Sequence, residues 1–376
     1  MVRLANERPV VILTGARQTG KTSLLRRLFP QYGFVSLDLP SEAELAERQP
    51  EEFLRRNPPP LFVDEVQYAP SLFRYLKVAV DRKRSTPGQF LLSGSQKFVL
   101  MSGVSDSLAG RAEVVELEPL SCAEVWRAHS AMAVEDVMLR GGYPELYQNT
   151  NLDNFSFYRS YVATCLERDV RTLLAVSSLR DFERFMRACA LRSAQMLNKA
   201  DLARDVGISP STAGDWLSVL QTSGHVVLLE PWFSNRTKSL VKSPKLYFCD
   251  TGLLATLLDI RNREELLRSP LIGGIWETLV FAELRKLQTA ASLHWTLHYW
   301  RDRAREVDFL VHRGGQFELF EAKWAERPEA RDADNLREVR ELLGREKVVR
   351  ETIVCRAPRS YPMDERIQAT PLRELS

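Results

Sequence analysis

The sequence predicts a multidomain α/β protein whose first part contains a parallel β-sheet. Residues 1–125 alternate short apolar runs with helical stretches, the order typical of parallel strands joined by crossover helices. At 376 residues the chain is too long for one ordinary core and corresponds to roughly two or three domains. A composition of 44% hydrophobic and 27% charged residues is that of a soluble globular protein.

Composition and charge exclude several classes of protein. No apolar run approaches the ~20 residues that cross a bilayer, and residues 1–6 do not form a secretory signal, so we expect a cytoplasmic protein without a membrane partner. Five scattered cysteines without a CxxC pair indicate neither a disulfide framework nor a zinc site. The net charge of +3 is close to balance, so a nucleic-acid partner can be argued only from local basic patches.

The first predicted strand, residues 10–13, leads directly into GARQTGKT at residues 15–22 and then into an amphipathic helical stretch. This is the spacing of a Walker A loop. Glycines let main-chain N–H groups point at phosphate oxygens, the lysine reaches the terminal phosphates, the threonine hydroxyl ligates Mg²⁺, and the helix N-terminus adds positive potential. The residues expected to bind the nucleotide are Gly15, Ala16, Arg17, Gln18, Thr19, Gly20, Lys21, Thr22 and Ser23.

The other predicted strands of this sheet are residues 34–37, 61–63, 90–92 and 114–117. The run at 61–63 ends in Asp64 and Glu65, which is the pattern of a Walker B strand. Asp64 is expected to hold Mg²⁺ through water beside Thr22, and Glu65 to orient or deprotonate the attacking water. The plainer interpretation of the two acids is a strand followed by an acidic helix cap.

Two further polar positions are candidates for the same site. The fourth run ends in SGSQ at residues 93–96, where the hydroxyl of Ser95 is expected to report whether the terminal phosphate is present. An ordinary turn after a strand explains this stretch equally well. Arg111 follows Gly110 just before the fifth strand and is a catalytic candidate, because arginine stabilises charge on a transferring phosphoryl group. Whether it acts in its own subunit or on a neighbour's nucleotide is open.

Residues 126–196 are predicted to form a helical lid over the nucleotide. The lid is broken at RGGYPE, residues 140–145, where two glycines and a proline prevent a continuous helix. A helix over residues 158–174 places on one face Tyr158, Tyr161, Val162 and Cys165. The charges that crowd its next turn are interpreted as a solvated or ion-paired face and comprise Glu167, Arg168, Asp169 and Arg171.

The sequence of residues 197–250 predicts a winged helix-turn-helix. Asn198 is expected to cap the first helix, Gly207 to end it, and Ser209-Pro210 to begin the second. Strands at 226–229 and 245–248 flank a loop with three basic residues, Arg236, Lys238 and Lys242. The outward face of the second helix offers only Ser211, Thr212, Asp215 and Ser218, without an arginine or lysine for phosphates or guanine edges. Binding of DNA and packing between domains are both open interpretations.

Residues 251–376 are predicted to follow the element order of the restriction-endonuclease core. That order is a helix at 271–288, strands at 293–300, 306–311 and 317–322, a helix at 333–343 and a strand at 352–355. Asp308 lies in one central strand, and Glu321 and Lys323 share a face of the next. Two such acids can bind a divalent metal, and the lysine can position or deprotonate water. Alternating charges on an exposed sheet face are the other interpretation.

Taken together, these motifs resemble one family. The stretches GARQTGKT, FVDEVQ, LLSGS, SLAGR, RGGYPE, ERDV, SPKLYFCDTGL, EVDFLV and FEAKWA are similar to those of the bacterial and archaeal predicted AAA-type ATPases with an N-terminal ATPase domain (AAA_14) and a C-terminal DUF4143 domain. The resemblance covers essentially the whole chain. It implies that ATP and Mg²⁺ are bound, and ATP hydrolysed, by Gly15, Gly20, Lys21, Thr22, Asp64 and Glu65. It also implies an endonuclease-like module with Glu277, Asp308, Glu321 and Lys323 at its acidic and lysine positions.

Two classes of function follow. In the first, residues 1–125 bind and hydrolyse ATP, and closure of the helical segment changes how the winged helix (197–250) and the DUF4143-like domain (251–376) engage DNA or RNA. A nested hypothesis makes the last domain a metal-dependent nuclease. In the second class the protein is not an enzyme, and nucleotide binding sets homo-oligomer assembly or the choice of a protein partner, with the nuclease-like fold as an interaction surface.

Overall fold

The computed structural model describes residues 1–95, 107–166, 179–233, 243–290, 295–302 and 305–375. The chain forms two compact units, Met1–Pro119 with Thr222–Gly224, and Leu120–Gln221 with His225–Ser376. Within the described ranges, no helix is both long and apolar enough to cross a membrane. Two groups of charges named above lie outside the described residues: Glu167, Arg168, Asp169 and Arg171, and Arg236, Lys238 and Lys242.

The first unit contains a five-stranded sheet in the order β2-β3-β4-β1-β5. Its strands are β1 (Val10–Thr14), β2 (Gly33–Ser36), β3 (Leu61–Asp64), β4 (Phe90–Gly94) and β5 (Ala112–Glu116). All neighbouring strands pair in parallel. The predicted parallel sheet is therefore confirmed, and the carboxyl ends of its strands meet at one edge.

Helices cover both faces of this sheet. They are α1 (Val2–Glu7), α2 (Lys21–Leu28), α3 (Pro40–Arg48), α4 (Pro50–Arg56) and α5 (Leu72–Arg82). Successive side chains of β1 alternate between the faces: Val10 and Ile12 pack in the cluster that includes α5, whereas Val11 and Leu13 pack in the cluster that includes Leu25 of α2. Burial on both faces explains why β1 is apolar along its length.

The second unit begins with helices. They are α6 (Cys122–Ala128), α7 (Val134–Arg140), α8 (Pro144–Gln148), α9 (Asn154–Tyr161) and α10 (Leu179–Ala190), with a π-helical turn, Val162–Leu166, after α9. The predicted break after α7 is present, because Gly141 has a φ of 68°. A Cβ on Gly141 would lie 2.1 Å from the hydroxyl of Tyr158, so only glycine fits. Helix α9 starts earlier than predicted, since Asp153 caps it by accepting the N–H of Ser156.

Two short helices and a small antiparallel sheet follow. They are β6 (Gln195–Met196), α11 (Lys199–Val206), α12 (Pro210–Thr222), β7 (Val226–Leu229) and β8 (Lys245–Phe248), and the strand order is β6-β8-β7. As predicted, Asn198 caps α11 by accepting the N–H groups of Ala200 and Asp201, and Gly207 ends it with a φ of 82°. One face of α12 forms a buried apolar stripe that consists of Ala213, Trp216, Leu217 and Leu220.

A six-stranded mixed sheet, in the order β13-β14-β12-β11-β10-β9, ends the chain. The elements are α13 (Thr251–Leu257), α14 (Arg263–Arg268), α15 (Ile272–Ala290), β9 (Thr296–Arg301), β10 (Glu306–Arg313), β11 (Gln316–Ala322), α16 (Asp334–Leu343), β12 (Val348–Cys355), β13 (Tyr361–Pro362) and β14 (Ile367–Pro371). Strand β12 begins earlier than predicted. Its start was missed because Glu351, which is buried 2.8 Å from Arg340, interrupts the apolar pattern of the sequence. Strands β13 and β14 were not predicted, since both contain proline.

One hydrophobic cluster runs through all parts of the second unit. It includes Trp126 of α6, Tyr158 of α9, Leu217 of α12, Trp276 of α15 and Phe309 of β10. The three segments predicted as separate domains, residues 126–196, 197–250 and 251–376, thus contribute to a single compact unit that begins at Leu120.

Candidate functional site

The loop between β1 and α2 has the backbone that a phosphate cradle requires. Gly15, Gln18 and Gly20 have positive φ values of 149°, 61° and 90°. A Cβ on Gly15 would lie 2.3 Å from the carbonyl oxygen of Leu117, so only glycine fits at this point. Such a tight turn lets successive main-chain N–H groups face a single anion.

Lys21 lies folded over this loop with 5% of its surface exposed. Its ammonium donates hydrogen bonds to the carbonyl oxygens of Gly15 at 3.0 Å and Ala16 at 2.8 Å. The hydroxyl of Thr19 donates to the same Ala16 oxygen at 2.9 Å. Of the other residues expected to bind the nucleotide, Arg17, Gly20 and Thr22 are half-buried, and Gln18 and Ser23 are exposed. The ammonium of Lys21 is therefore held beside the turn of the phosphate loop.

Asp64, at the end of β3, contacts both Thr22 of α2 and Ser93 of β4. The Thr22 hydroxyl donates to its two oxygens at 3.0 and 2.9 Å, and the Ser93 hydroxyl donates to one of them. Burial raises the pKa of Asp64, and the hydrogen bonds from Ser93 and Thr22 oppose that rise. A hydroxyl and a carboxylate are the hard oxygen ligands that Mg²⁺ prefers, so the two residues predicted to hold the ion fit it.

Glu65 directly follows β3 in a left-handed conformation, with a φ of 54°. Its Oε2 accepts hydrogen bonds from the side-chain amide of Gln67 and, at 3.2 Å, from the hydroxyl of Ser95. The structure therefore brings the predicted residues Glu65 and Ser95 together. Sequence reasoning missed the contacts of Ser93 and Gln67. The signal for Ser93 was available, since it lies on the strand next to Asp64.

Arg111 lies at the end of the sheet where the strands begin, opposite the end that carries the phosphate loop. Val10, the first residue of β1, pairs with Ala112, so Arg111 precedes the start of β5, whereas the phosphate loop follows the end of β1. A five-residue strand separates these edges by about 16 Å. The guanidinium donates to both oxygens of Asp81, at 2.7 and 3.0 Å. The Arg111 guanidinium therefore lies away from the phosphate loop of its own subunit, and its catalytic role stays a prediction.

The C-terminal candidates surround a residue that sequence reasoning missed. The ammonium of Lys245, on β8, lies 3.0 Å from Glu277, 2.5 Å from Glu306 and 3.5 Å from Asp308. Burial lowers the pKa of Lys245, but these three carboxylates outweigh burial and raise it above the ordinary value. The hydroxyl of Tyr247 donates to Glu277 at 2.5 Å. We name Lys245, Tyr247, Glu277, Glu306 and Asp308 the acidic centre.

Glu321 and Lys323 lie beside the acidic centre. As predicted from their spacing, they share a face, and their side chains form an ion pair at 3.3 Å. Glu321 is 2% exposed, and burial, followed by the charge of Asp308, raises its pKa well above the ordinary value. Its Oε1 has no hydrogen-bond partner among the described residues.

The predicted second metal site does not fit this geometry. Across the described parts of the chain, no group of three His, Cys, Asp or Glu side chains is arranged to hold a metal ion. Glu277 and Asp308 instead face the ammonium of Lys245, and Asp308 also accepts the main-chain N–H of Ala322 at 3.0 Å. The assignment of Glu277, Asp308 and Glu321 as metal ligands is therefore corrected.

The outward face of α12 has the composition expected from sequence. Ser211, Asp215 and Ser218 are exposed, and Thr212 is half-buried. The side chain of Ser218 donates to the carbonyl of Gly214 at 3.0 Å, and Thr212 contacts Ser209. This helix face therefore presents hydroxyls and one carboxylate, and no positive charge for a nucleic-acid backbone.

A parallel sheet of this order, with a Walker A loop after β1 and two consecutive acids at the end of β3, defines a P-loop nucleotide-binding protein. A family model described as an AAA domain (AAA_14) matches residues 7–126, and models of two domains of unknown function, DUF8612 and DUF4143, match residues 132–264 and 272–375. The chain belongs to the family of AAA-type ATPases with a C-terminal DUF4143 domain. The resemblance found in the sequence is confirmed.

Two mycobacterial relatives are similar along the whole chain. Uncharacterized protein Rv2008c of Mycobacterium tuberculosis and uncharacterized protein Mb2031c of Mycobacterium bovis are each 33% identical over 99% of this chain and 82% of their own length. Among solved structures, the Walker-type ATPase PABY2304 of Pyrococcus abyssi is 18% identical, with a TM-score of 0.46 over 68% of this chain and 93% of that one. The RuvB Holliday junction branch migration motor of Thermotoga maritima is 17% identical, with a TM-score of 0.31 over 58% and 82%.

Proposed function

We propose that this protein is a Mg²⁺-dependent ATPase whose nucleotide state controls the activity of its second unit. The observation that carries the proposal is the contact of the Thr22 hydroxyl with Asp64, beside Glu65 and the buried Lys21. These four side chains supply a phosphate-binding cation, two oxygen ligands for a metal and a carboxylate for water. P-loop ATPases use this set of groups for hydrolysis.

Each residue has a separate task in the proposed reaction. Lys21 exchanges its two carbonyl partners for the terminal phosphates of ATP. Thr22 and Asp64 hold Mg²⁺, which neutralises charge on the phosphates when bound. Glu65 orients the attacking water and takes its proton, while Gln67 and Ser95 hold the carboxylate in place. Ser95 also reports the terminal phosphate, because its hydroxyl contacts the residue that faces the water.

We propose that the second unit is the output of this ATPase, divided into a helical lid (126–196), a winged helix-turn-helix (197–250) and an endonuclease-like DUF4143 domain (251–376). Helices α11 and α12 with the three-stranded sheet support the winged-helix interpretation, and the element order from α15 to β12 supports the nuclease-like fold. DNA or RNA is the proposed partner. The polar, uncharged-to-acidic face of α12 disfavours binding through that helix.

A second candidate function is a nucleotide-dependent regulatory protein without nuclease chemistry. One observation favours it, namely that Lys245 engages the acids at the position where a nuclease would hold a metal. In this case the C-terminal sheet is an interaction surface, and nucleotide binding selects an assembly or a protein partner. The two candidates share the ATP site and differ in what the second unit does.

The ATPase rate of the purified full chain tests the proposal. Wild type, Lys21→Ala and Glu65→Gln are compared with Mg²⁺ present, each with and without DNA or RNA, and Lys77→Ala is the control for loss of an exposed lysine. We expect Lys21→Ala to lose ATP binding and Glu65→Gln to bind ATP but turn it over at least about 100-fold more slowly. Equal turnover by wild type and Lys21→Ala would refute the ATPase. Stimulation by nucleic acid would favour the first candidate over the regulatory one.

A further inference from the structure

The acidic centre contains more negative charge than a structural ion pair needs. Glu277 comes from α15, and Glu306 and Asp308 lie two residues apart on one face of β10. Asp308 is buried, and Glu277 is half-buried. Three carboxylates brought this close repel one another unless a cation lies between them. The question is which cation this chain uses.

Lys245 meets the requirements for that cation. An ammonium has three N–H donors and no acceptor, and Lys245 faces three carboxylates, at 3.0, 2.5 and 3.5 Å. Its side chain is 3% exposed, and its ammonium lies 5.7 Å from the centre of the Tyr299 ring. The lysine is therefore enclosed between the small sheet and the C-terminal sheet of the second unit.

The carboxylates of the acidic centre also accept hydrogen bonds from groups other than Lys245. Asp308 accepts the main-chain N–H of Ala322 at 3.0 Å and Glu306 accepts Arg301 at 2.9 Å, each on the oxygen that does not face Lys245. The Glu277 oxygen that faces Lys245 also accepts the hydroxyl of Tyr247. A bound Mg²⁺ or Mn²⁺ needs about six oxygen ligands at 2.0–2.2 Å in a near-octahedral arrangement. The oxygens here are instead oriented toward N–H and O–H donors.

We propose that Lys245 is a built-in cation that replaces a divalent metal in the acidic centre, so that this centre joins β8 to β10 and α15 and does not bind metal while the lysine is in place. The proposal goes beyond the ATPase, because it assigns the chemistry of the second unit. It also makes a specific statement about the lysine: once its ammonium is removed, the same carboxylates reorient and form a divalent-cation site.

Binding of Mn²⁺ to the full chain tests the proposal without nucleotide. All variants carry Asp64→Asn, which removes the predicted ligand at the ATP site, and free Mn²⁺ is followed by electron paramagnetic resonance. We expect no saturable binding by the chain with Lys245 intact. Lys245→Met should bind one Mn²⁺ saturably and at least about tenfold more tightly than the chain with Lys245 intact, because the three carboxylates lose their cation. Adding Asp308→Asn to Lys245→Met should abolish the gain.

Thermal unfolding gives a second readout. Lys245→Met should unfold at a lower temperature than Lys245→Arg, which keeps the charge, and added Mn²⁺ should raise the unfolding temperature of Lys245→Met alone. Saturable Mn²⁺ binding by the lysine-intact chain that Asp308→Asn removes would overturn the proposal even if Lys245→Met does not fold. A folded Lys245→Met that gains no Mn²⁺ would overturn it as well. Because these measurements omit nucleotide, they can fail while the ATPase proposal stands.

Discussion

The hydroxyl of Thr22 lies 3.0 and 2.9 Å from the two carboxylate oxygens of Asp64, which ties the first turn of α2 to the end of β3. We predict that Thr22→Val lowers ATP turnover about 100-fold or more, because Mg²⁺ loses a hydroxyl ligand. Thr22→Ser keeps the hydroxyl and should keep most of the activity. The measurement is turnover against Mg²⁺ concentration, and equal loss in both variants would contradict the assigned role.

Gln67 is predicted to be a positioning residue for Glu65, whose carboxylate its side-chain amide contacts. Gln67→Leu should lower the rate of turnover about tenfold and leave ATP affinity unchanged, because it frees the carboxylate that faces the water. Gln89→Leu is the matched control, since Gln89 is also buried but hydrogen-bonds the carbonyls of Lys83 and Thr86. A loss of ATP affinity in Gln67→Leu, or equal kinetics in both variants, would show that the contact only stabilises the fold.

Arg111 is predicted to act on the nucleotide of a neighbouring copy, because the phosphate loop of its own copy lies at the opposite end of the strands. Arg111→Ala should then have low turnover, and mixing it with Glu65→Gln should restore activity, since each variant supplies what the other lacks. Turnover of the mixture and of each variant alone is measured at equal total protein. Full turnover by Arg111→Ala at every protein concentration would exclude a catalytic role. The role of Arg111 would then be its ion pair with Asp81.

Gly141 should not tolerate a side chain. Gly141→Ala combines a φ of 68° with a Cβ 2.1 Å from the Tyr158 hydroxyl, so we expect a loss of at least about 2 kcal/mol in unfolding free energy. Gly207→Ala is the control: its φ is 82°, and apart from its chain neighbours no atom of the described residues lies within 4 Å of the added Cβ, so it should lose only about 1 kcal/mol. Chemical denaturation of the two variants measures the difference, and equal losses would contradict the packing argument.

The acidic centre should make the stability of the second unit depend on pH. Burial, then the charge of Asp308, raises the pKa of Glu277 to about 7 from 4.5, against the lowering effects of Lys245 and Tyr247. The folded state holds this proton more tightly than the unfolded state, so protonation of Glu277 stabilises the folded state. This stabilisation is full below about pH 4.5 and is lost as pH rises through about 7. The urea midpoint should fall over this range, and Glu277→Gln should reduce the fall. An identical pH dependence in the variant would rule Glu277 out as its source.

The sequence predicted the first unit better than the second. A continuous apolar run followed by a glycine-rich loop identifies β1 and the phosphate site, because local spacing alone sets that geometry. The position of Arg111 could also have been predicted, since it precedes its strand and the site lies where strands end. Lys245 could not, because its partners lie at residues 277, 306 and 308 and meet it only through tertiary packing. Charges that pair across such distances look like surface residues in sequence.

The position of Lys245 also limits how the chain can be divided for expression. The DUF4143 match begins at residue 272, so a fragment cut there would keep Glu277, Glu306 and Asp308 but lose Lys245 and Tyr247. Such a fragment would contain buried carboxylates without their counter-ion, and its long helix would lose the hydrophobic partners that precede it. The boundary of the matched family and the boundary of the smallest stable fragment are therefore different, and a soluble C-terminal fragment should start before β8.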